Sequence, residues 1–265
     1  PLRGDMAGNA SPLCARKATE RLGFTPRSWQ RPLAQTEAGP PSAKRRKTLF
    51  DGRDGMRGSP AAQRALADPE LKHFSLEKFE LESGEKLPAG ATLAYRVHGA
   101  AVGEGKGLIL HPTSYDAVHS ELEYNIGAGK TLDTSQYTVV VVNMLGNGVS
   151  YSPSLIADAD RTASGPPPLF TVGDNVRAQH AMLLSLGVGC NETQPLELVY
   201  GYSMGGLQAY EWAVAFPSAV KRIAVVCGAS RCGDLNTVFL TSLEAALKAD
   251  IAWDEPAGYF THKPV

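Results

Sequence analysis

Leu196-Glu197-Leu198-Val199-Tyr200-Gly201-Tyr202-Ser203-Met204-Gly205-Gly206-Leu207 runs from an apolar strand pattern, through a serine flanked by glycines, straight into a helical pattern. A serine carried on such a strand-to-helix turn must hold a strained backbone to lift its hydroxyl above the sheet. Neighbouring chain can pass close beneath it only where Gly201 and Gly205 lack a β-carbon. Ser203 would then stand at a helix N-terminus. There the backbone N–H of Met204, helped by the positive end of the helix dipole, can donate to a developing oxyanion. This context marks Ser203 as a candidate nucleophile. The plainer alternative is a glycine-rich helix start in which Ser203 only caps the helix.

Outward from this segment, short apolar runs alternate with helical patterns. Leu108-Ile109-Leu110, Tyr137 to Val142, Leu196 to Tyr200 and Ile223 to Val226 each end in polar or glycine-rich residues, as parallel strands covered on both faces do. Asp174 to Leu186 and Gly205 to Phe216 carry apolar residues at helical spacing. Ahead of them, Phe74 to Leu81 and Thr92 to Val97 read as an antiparallel hairpin, separated by Gly84, Pro88 and Gly90. The order predicts an α/β fold with a doubly wound, mostly parallel sheet and a two-strand antiparallel start. Two domains follow: a disordered basic leader over 1–70 and a folded core over 71–265.

The leader is read from composition. Residues 1–70 hold 13 Lys/Arg against 7 Asp/Glu, and the remainder 13 against 20, so a net charge of −1 hides a basic front and an acidic body. Rich in Arg, Pro, Gly and Ser, the front has too little periodic apolar surface to pay for ordering. Its run Lys44-Arg45-Arg46-Lys47 reads as a solvated charge cluster, with a nuclear-localisation signal as the alternative. Organelle targeting by the leader also stays open, although Asp51, Asp54 and Asp68 count against it. No stretch reaches the roughly 18 uninterrupted apolar residues of a membrane span, so the expectation is a cytoplasmic protein with neither membrane nor nucleic-acid partner. Cys14, Cys190, Cys227 and Cys232 have neither disulfide-framework nor metal-site spacing. They read as reduced thiols, Cys227 as a small core residue, and no metal or cofactor is expected.

A second oxyanion donor should come from the loop after the first parallel strand, His111-Pro112-Thr113-Ser114. Pro112 has no N–H, so Thr113 is the candidate. His111, at the strand end, reads as a loop-fixing residue and not as a catalytic base. His180 lies on the helix from Asp174, where it faces solvent or packs against a neighbour.

Leu110-His111-Pro112-Thr113, Asn125-Ile126-Gly127-Ala128-Gly129-Lys130 with Leu132-Asp133, and Val142-Asn143-Met144-Leu145-Gly146-Asn147-Gly148-Val149-Ser150 form an ordered series. It continues with Thr171 to Gln179, the Ser203 turn with Gln208 to Ala213, and Asp250 to Trp253. Over residues 92–253 this series resembles the homoserine O-acetyltransferase-like branch of the α/β-hydrolase superfamily. The resemblance implies an acyl-Ser203 intermediate that takes its acyl group from a thioester such as acyl-CoA, as co-substrate, and passes it to a hydroxyl. Hydrolase relatives pass it to water, so an esterase or thioesterase is the alternative. Small-molecule donor and acceptor are the implied partners, and a homodimer is compatible with them.

The resemblance also implies a catalytic Asp and His far downstream, beyond two further strands, and a helical lid after the sixth strand. Here the one histidine after Ser203 is His262, with no strand pattern before it. Asp234, Asp250 and Asp254 fall in a stretch like the start of the lid, so no triad acid is assigned. The expectation is a core C-terminally truncated before its last strands, either a fragment or a short inactive paralogue, with little activity in isolation. A non-catalytic scaffold is the competing class. Nucleotide binding ranks below both, because Gly103-Glu104-Gly105-Lys106-Gly107 precedes a strand instead of following one.

Overall fold

The computed structural model describes residues 59–104, 106–155, 168–254 and 259–260, all within one compact unit, Asp54–Val265. Six strands form the main sheet: β1 (Lys72–Ser75), β2 (Thr92–His98), β3 (Gly107–Pro112), β4 (Tyr137–Val142), β5 (Leu198–Tyr202) and β6 (Ile223–Val226). Their spatial order is β1-β2-β4-β3-β5-β6. The first two junctions are antiparallel, with Lys72 opposite Tyr95 and His98 opposite Val139; β4, β3, β5 and β6 run parallel. This is the mixed, mostly parallel sheet expected, with its antiparallel start. The starting strand is shorter than its pattern: β1 ends at Ser75, and the chain turns at Lys78 with φ 64° before bridging Glu80 to Lys86.

Central strands are valine-rich because both their faces are covered. In β4 every residue from Thr138 to Val142 is buried. Helices α2 (Val172–Ser185) and α3 (Met204–Ala215) cover one face. Val176, Met182, Leu183 and Trp212 pack there on Leu93, Leu110, Val140 and Val142. On the other face Leu122, Ile126 and Leu132, from the long β3–β4 connection, cover Ile109, Val139 and Val141. Cover thins toward β6: Leu198 and Tyr200 are half-buried and Tyr202 is exposed. Helix α4 (Asp234–Lys248) follows β6, and a short pair, β7 (Trp253–Asp254) with β8 (Tyr259–Phe260), comes last.

One boundary differs from the sequence reading. Within the range 1–70 taken as an unstructured leader, Pro60–Leu66 form helix α1, capped by the Ser59 hydroxyl, which accepts the Ala62 N–H at 3.1 Å. Ala62 and Ala65 are buried against Ala94, Val118 and Val149. Small alanines dock tightly without any long apolar stripe, so composition hides them. The basic run Lys44–Lys47 lies outside the described residues. Among the described residues no helix is long and apolar enough to cross a membrane.

Candidate active site

Strand β4 and strand β5 lie on opposite sides of β3, so the chain reverses direction across the sheet between β3 and β5. The carboxyl ends of those two strands flank the crevice where ligands bind in open α/β sheets. Ser203 follows β5 directly, and the Pro112-Thr113-Ser114 loop follows β3.

Ser203 has φ 50° and ψ −116°, a conformation costly for a residue with a side chain, and its hydroxyl makes no capping hydrogen bond to α3. The capping alternative therefore does not describe it. The turn is pinned on both sides: Ser203 N–H donates to the Val226 carbonyl of β6 at 2.8 Å, and the Ser203 carbonyl accepts from Gly206 N–H at 2.9 Å. Its glycines are steric requirements. A β-carbon on Gly201 would lie 2.0 Å from the Gly205 carbonyl oxygen, and one on Gly205 would lie 2.8 Å from the Pro112 carbonyl oxygen. The second distance also places the β3 loop directly against the start of α3. Met204 is the first residue of α3, so its N–H has no acceptor within the helix.

Thr113 is brought to this turn, but not with a free amide. Its N–H donates to the Val142 carbonyl at 2.9 Å, its carbonyl accepts from Gln208 Nε2 at 3.0 Å, and its hydroxyl accepts from Met144 N–H at 3.0 Å. The second oxyanion donor expected at Thr113 is thus corrected: the sheet ladder continues one residue beyond the end of β3 at Pro112 and consumes that N–H. Thr113 instead holds the loop. Gln208 in turn accepts from Gln179 Nε2 at 2.6 Å, and Gln179 accepts from Trp212 Nε1–H at 2.8 Å, all of it buried. This chain clamps α2, α3 and the β3 loop together.

A second clamp went unread in the sequence. His119, fully buried, meets Asp68 through Nε2 at 3.1 Å and Asn143 through Nδ1 at 3.1 Å, while its N–H donates to Asn143 Oδ1 at 3.0 Å. Asp68 also pairs with Arg96. Although burial raises its carboxyl, donation from the Glu70 N–H, His119 and Arg96 holds it below the usual carboxylate range. Polar residues brought together from four separate stretches of chain leave no local spacing to detect.

The other described histidines make no hydrogen bond to Ser203 either. His111 lies on the opposite face of the sheet, edge-on to Tyr200 at 4.9 Å, and burial pushes its imidazole down to about 4. His180 stacks on Phe216 at 4.0 Å beside Trp212, with its imidazole pulled down by burial. His262 lies outside the described residues, and among the described residues no histidine or carboxylate hydrogen-bonds the Ser203 hydroxyl. Asp234 begins α4, whereas Asp254 lies in β7, away from the helical stretch expected for it. Cys227, expected in the core, is exposed after β6 at φ 52°, because β6 stops one residue before it. Among the described residues no group of three or more His, Cys, Asp or Glu could hold a metal ion.

A strained serine turn follows the third parallel strand of the sheet, with both glycines sterically fixed. Residues 108–258 match the family model described as alpha/beta hydrolase fold. The chain belongs to the α/β-hydrolase fold family. It is 38% identical over 176 residues to an ethyl acetate hydrolase of Pseudomonas veronii, covering 65% of this chain and 48% of that protein. With a homoserine O-acetyltransferase of Methanocorpusculum labreanum it shares 32% identity over 209 residues, covering 72% and 41%. Among solved structures, the acetyl esterase MekB superposes with a TM-score of 0.62 at 37% identity, over 72% of this chain and 52% of that one. The chain spans about half the length of these α/β-hydrolase relatives.

Proposed function

We propose that this chain carries the nucleophile of an acetyl-transferring enzyme, working through an acetyl-Ser203 intermediate. The observation that carries the reading is the Ser203 backbone at φ 50°, held at the start of α3 directly before Met204. In the first step the Ser203 oxygen attacks the acyl carbonyl carbon and the carbonyl oxygen takes up negative charge. Collapse then breaks the bond from the acyl carbon to the donor's sulfur or oxygen, and that leaving group takes up the proton the Ser203 hydroxyl gives up. Met204 N–H is one oxyanion donor. For the second we assign Ser114 N–H: it is the next amide beyond Thr113, in a residue that is itself buried. Among the described residues that amide is not donated to another backbone group.

An acetyl group is the part shared by the relatives' named activities: ethyl acetate hydrolase, homoserine O-acetyltransferase and acetyl esterase. A hydroxyl acceptor, with acetyl-CoA as donor, is the first reading of the second half-reaction. Water as acceptor is the second reading, favoured by the higher identity to the ethyl acetate hydrolase.

Among the described residues none takes the Ser203 proton, so acetylation by these groups alone is expected to be slow. Incubation with p-nitrophenyl acetate, followed by peptide mass mapping, should place one acetyl group on the Ser203 peptide and none in Ser203→Ala. Folded protein that stays unlabelled by both this ester and a fluorophosphonate would sink the catalytic reading in favour of a scaffold. Challenge of the acetylated protein with homoserine then separates transfer to a hydroxyl from loss to water.

A further inference from the structure

A second tether holds the loop after β3. Ser114 opens a turn that Ala117 N–H closes on the Ser114 carbonyl at 3.2 Å, with Asp116 at φ 54° inside it. The Ala117 carbonyl accepts from Asn147 Nδ2 at 3.1 Å, and the same nitrogen donates to Asn143 Oδ1 at 3.2 Å. Asn143 Oδ1 also takes the His119 N–H, while Asn143 Nδ2 donates to the Ala94 carbonyl at 3.3 Å and to His119 Nδ1 at 3.1 Å. An amide nitrogen only donates, so Nδ1 is the acceptor and Nε2 is left to donate to Asp68 at 3.1 Å. Asn143 and His119 are fully buried, and neither has a side-chain polar atom without a partner. One line of hydrogen bonds therefore runs from Asp68 to the Ser114 turn.

Its far end is anchored on the body. Asp68 lies two residues beyond α1, and Arg96 of β2 pairs with both Asp68 and Glu70. Helix α1 itself packs Ala62 and Ala65 against Val118, in the loop after β3, and Val149, in the loop after β4. A β-carbon on Gly148 would lie 3.2 Å from that of Ala62, so the second loop has little room to shift. We propose that Asp68 is a positioning residue for the acyl-transfer reaction. Through His119, Asn143 and Asn147 it fixes the Ser114 turn, and with it the N–H assigned as second oxyanion donor. The role rests on the acetyl-Ser203 reading. The relay acts on where a transition-state donor stands, so it governs the rate of the chemical step and leaves ester binding alone. Misplacement of such a group by about 1 Å can cost about 100-fold.

Hydrogen exchange and Ser203 acetylation, both measured on the full chain, test the relay independently. In Asp68→Ala, peptides spanning 113–119 and 143–150 are expected to exchange about tenfold faster or more, while those of α3 keep wild-type protection. The rate constant for acetylation at saturating p-nitrophenyl acetate should fall about tenfold or more, with the half-saturating concentration unchanged. Asp68→Asn keeps an oxygen that accepts from His119 Nε2 and should restore most of both readouts. Near-UV circular dichroism checks that each variant keeps the wild-type core, and Asn147→Ala, cut at the other end of the relay, replaces Asp68→Ala if that variant does not fold. Wild-type exchange in both loops would overturn the proposal. So would loosened loops with unchanged acetylation, a rise in the half-saturating concentration alone, or an Asp68→Asn variant as impaired as Asp68→Ala. A wild-type chain that never takes up acetyl overturns the acetyl-Ser203 reading and the role with it; that failure is told apart because the exchange pattern still reports on the relay.

Discussion

Ser203, Gly201 and Gly205 carry the local argument. The positive φ at Ser203 is strain that the pinning bonds to Val226 and Gly206 sustain, so relieving it should stabilise the fold. Ser203→Gly is expected to raise unfolding free energy by about 1 kcal/mol in urea denaturation, while abolishing acetylation. Gly201→Ala should do the reverse, because its methyl carbon would fall 2.0 Å from the Gly205 carbonyl oxygen. A loss of at least about 3 kcal/mol, or failure to fold, is expected. Wild-type stability in Gly201→Ala would show that the turn is looser than described. At this scale the sequence was informative, since a glycine two residues either side of a serine is a steric statement that needs no fold to be read. Thr113 marks where that reading fails. Whether its N–H is free depends on how far the β3–β4 ladder runs, which residue type does not encode.

Two polar clamps position the elements around the turn. In one, Trp212, Gln179, Gln208 and the Thr113 carbonyl form a buried chain from α2 through α3 to the β3 loop. Gln208→Leu would leave the Thr113 carbonyl and Gln179 Nε2 buried without their partner. A cost of about 2–3 kcal/mol is expected in chemical denaturation, together with slower acetylation of Ser203, because the loop that carries Ser114 would lose its tether. Unchanged stability would mean the loop is held elsewhere. Strand and helix positions were legible because each element carries its own period: β4 and α3 fall within a residue or so of their patterns. Helix α1 was not legible. Seven residues with two buried alanines have no periodicity above a basic, proline-rich background.

On the scale of the whole molecule, buried imidazoles set the acid response. The His111 imidazole is held at about 4 by burial, below its ordinary value near 6.5, so the folded chain binds fewer protons than the unfolded one between those limits. Stability is therefore full above about pH 6.5 and falls as pH drops toward 4, by about 3 kcal/mol from this residue. His98 and His180, also lowered by burial, act in the same direction. Denaturant titrations at pH 4.5 and 7 should show that His111→Phe flattens this dependence; an unchanged slope would remove His111 as its source. The sequence by itself determined the alternation of strands and helices, the position of the strained Ser203 turn and the membership of the α/β-hydrolase fold family. Those properties are written in periodicity and in contiguous motifs a few residues long. Tertiary structure alone decided that the Thr113 amide is consumed, that Asp68 and His119 meet across 51 positions of chain, that α1 joins the body and that α4 stands exposed. Each of these depends on which distant groups share a hydrogen bond or a buried surface, and pairings across the fold leave no trace in local spacing.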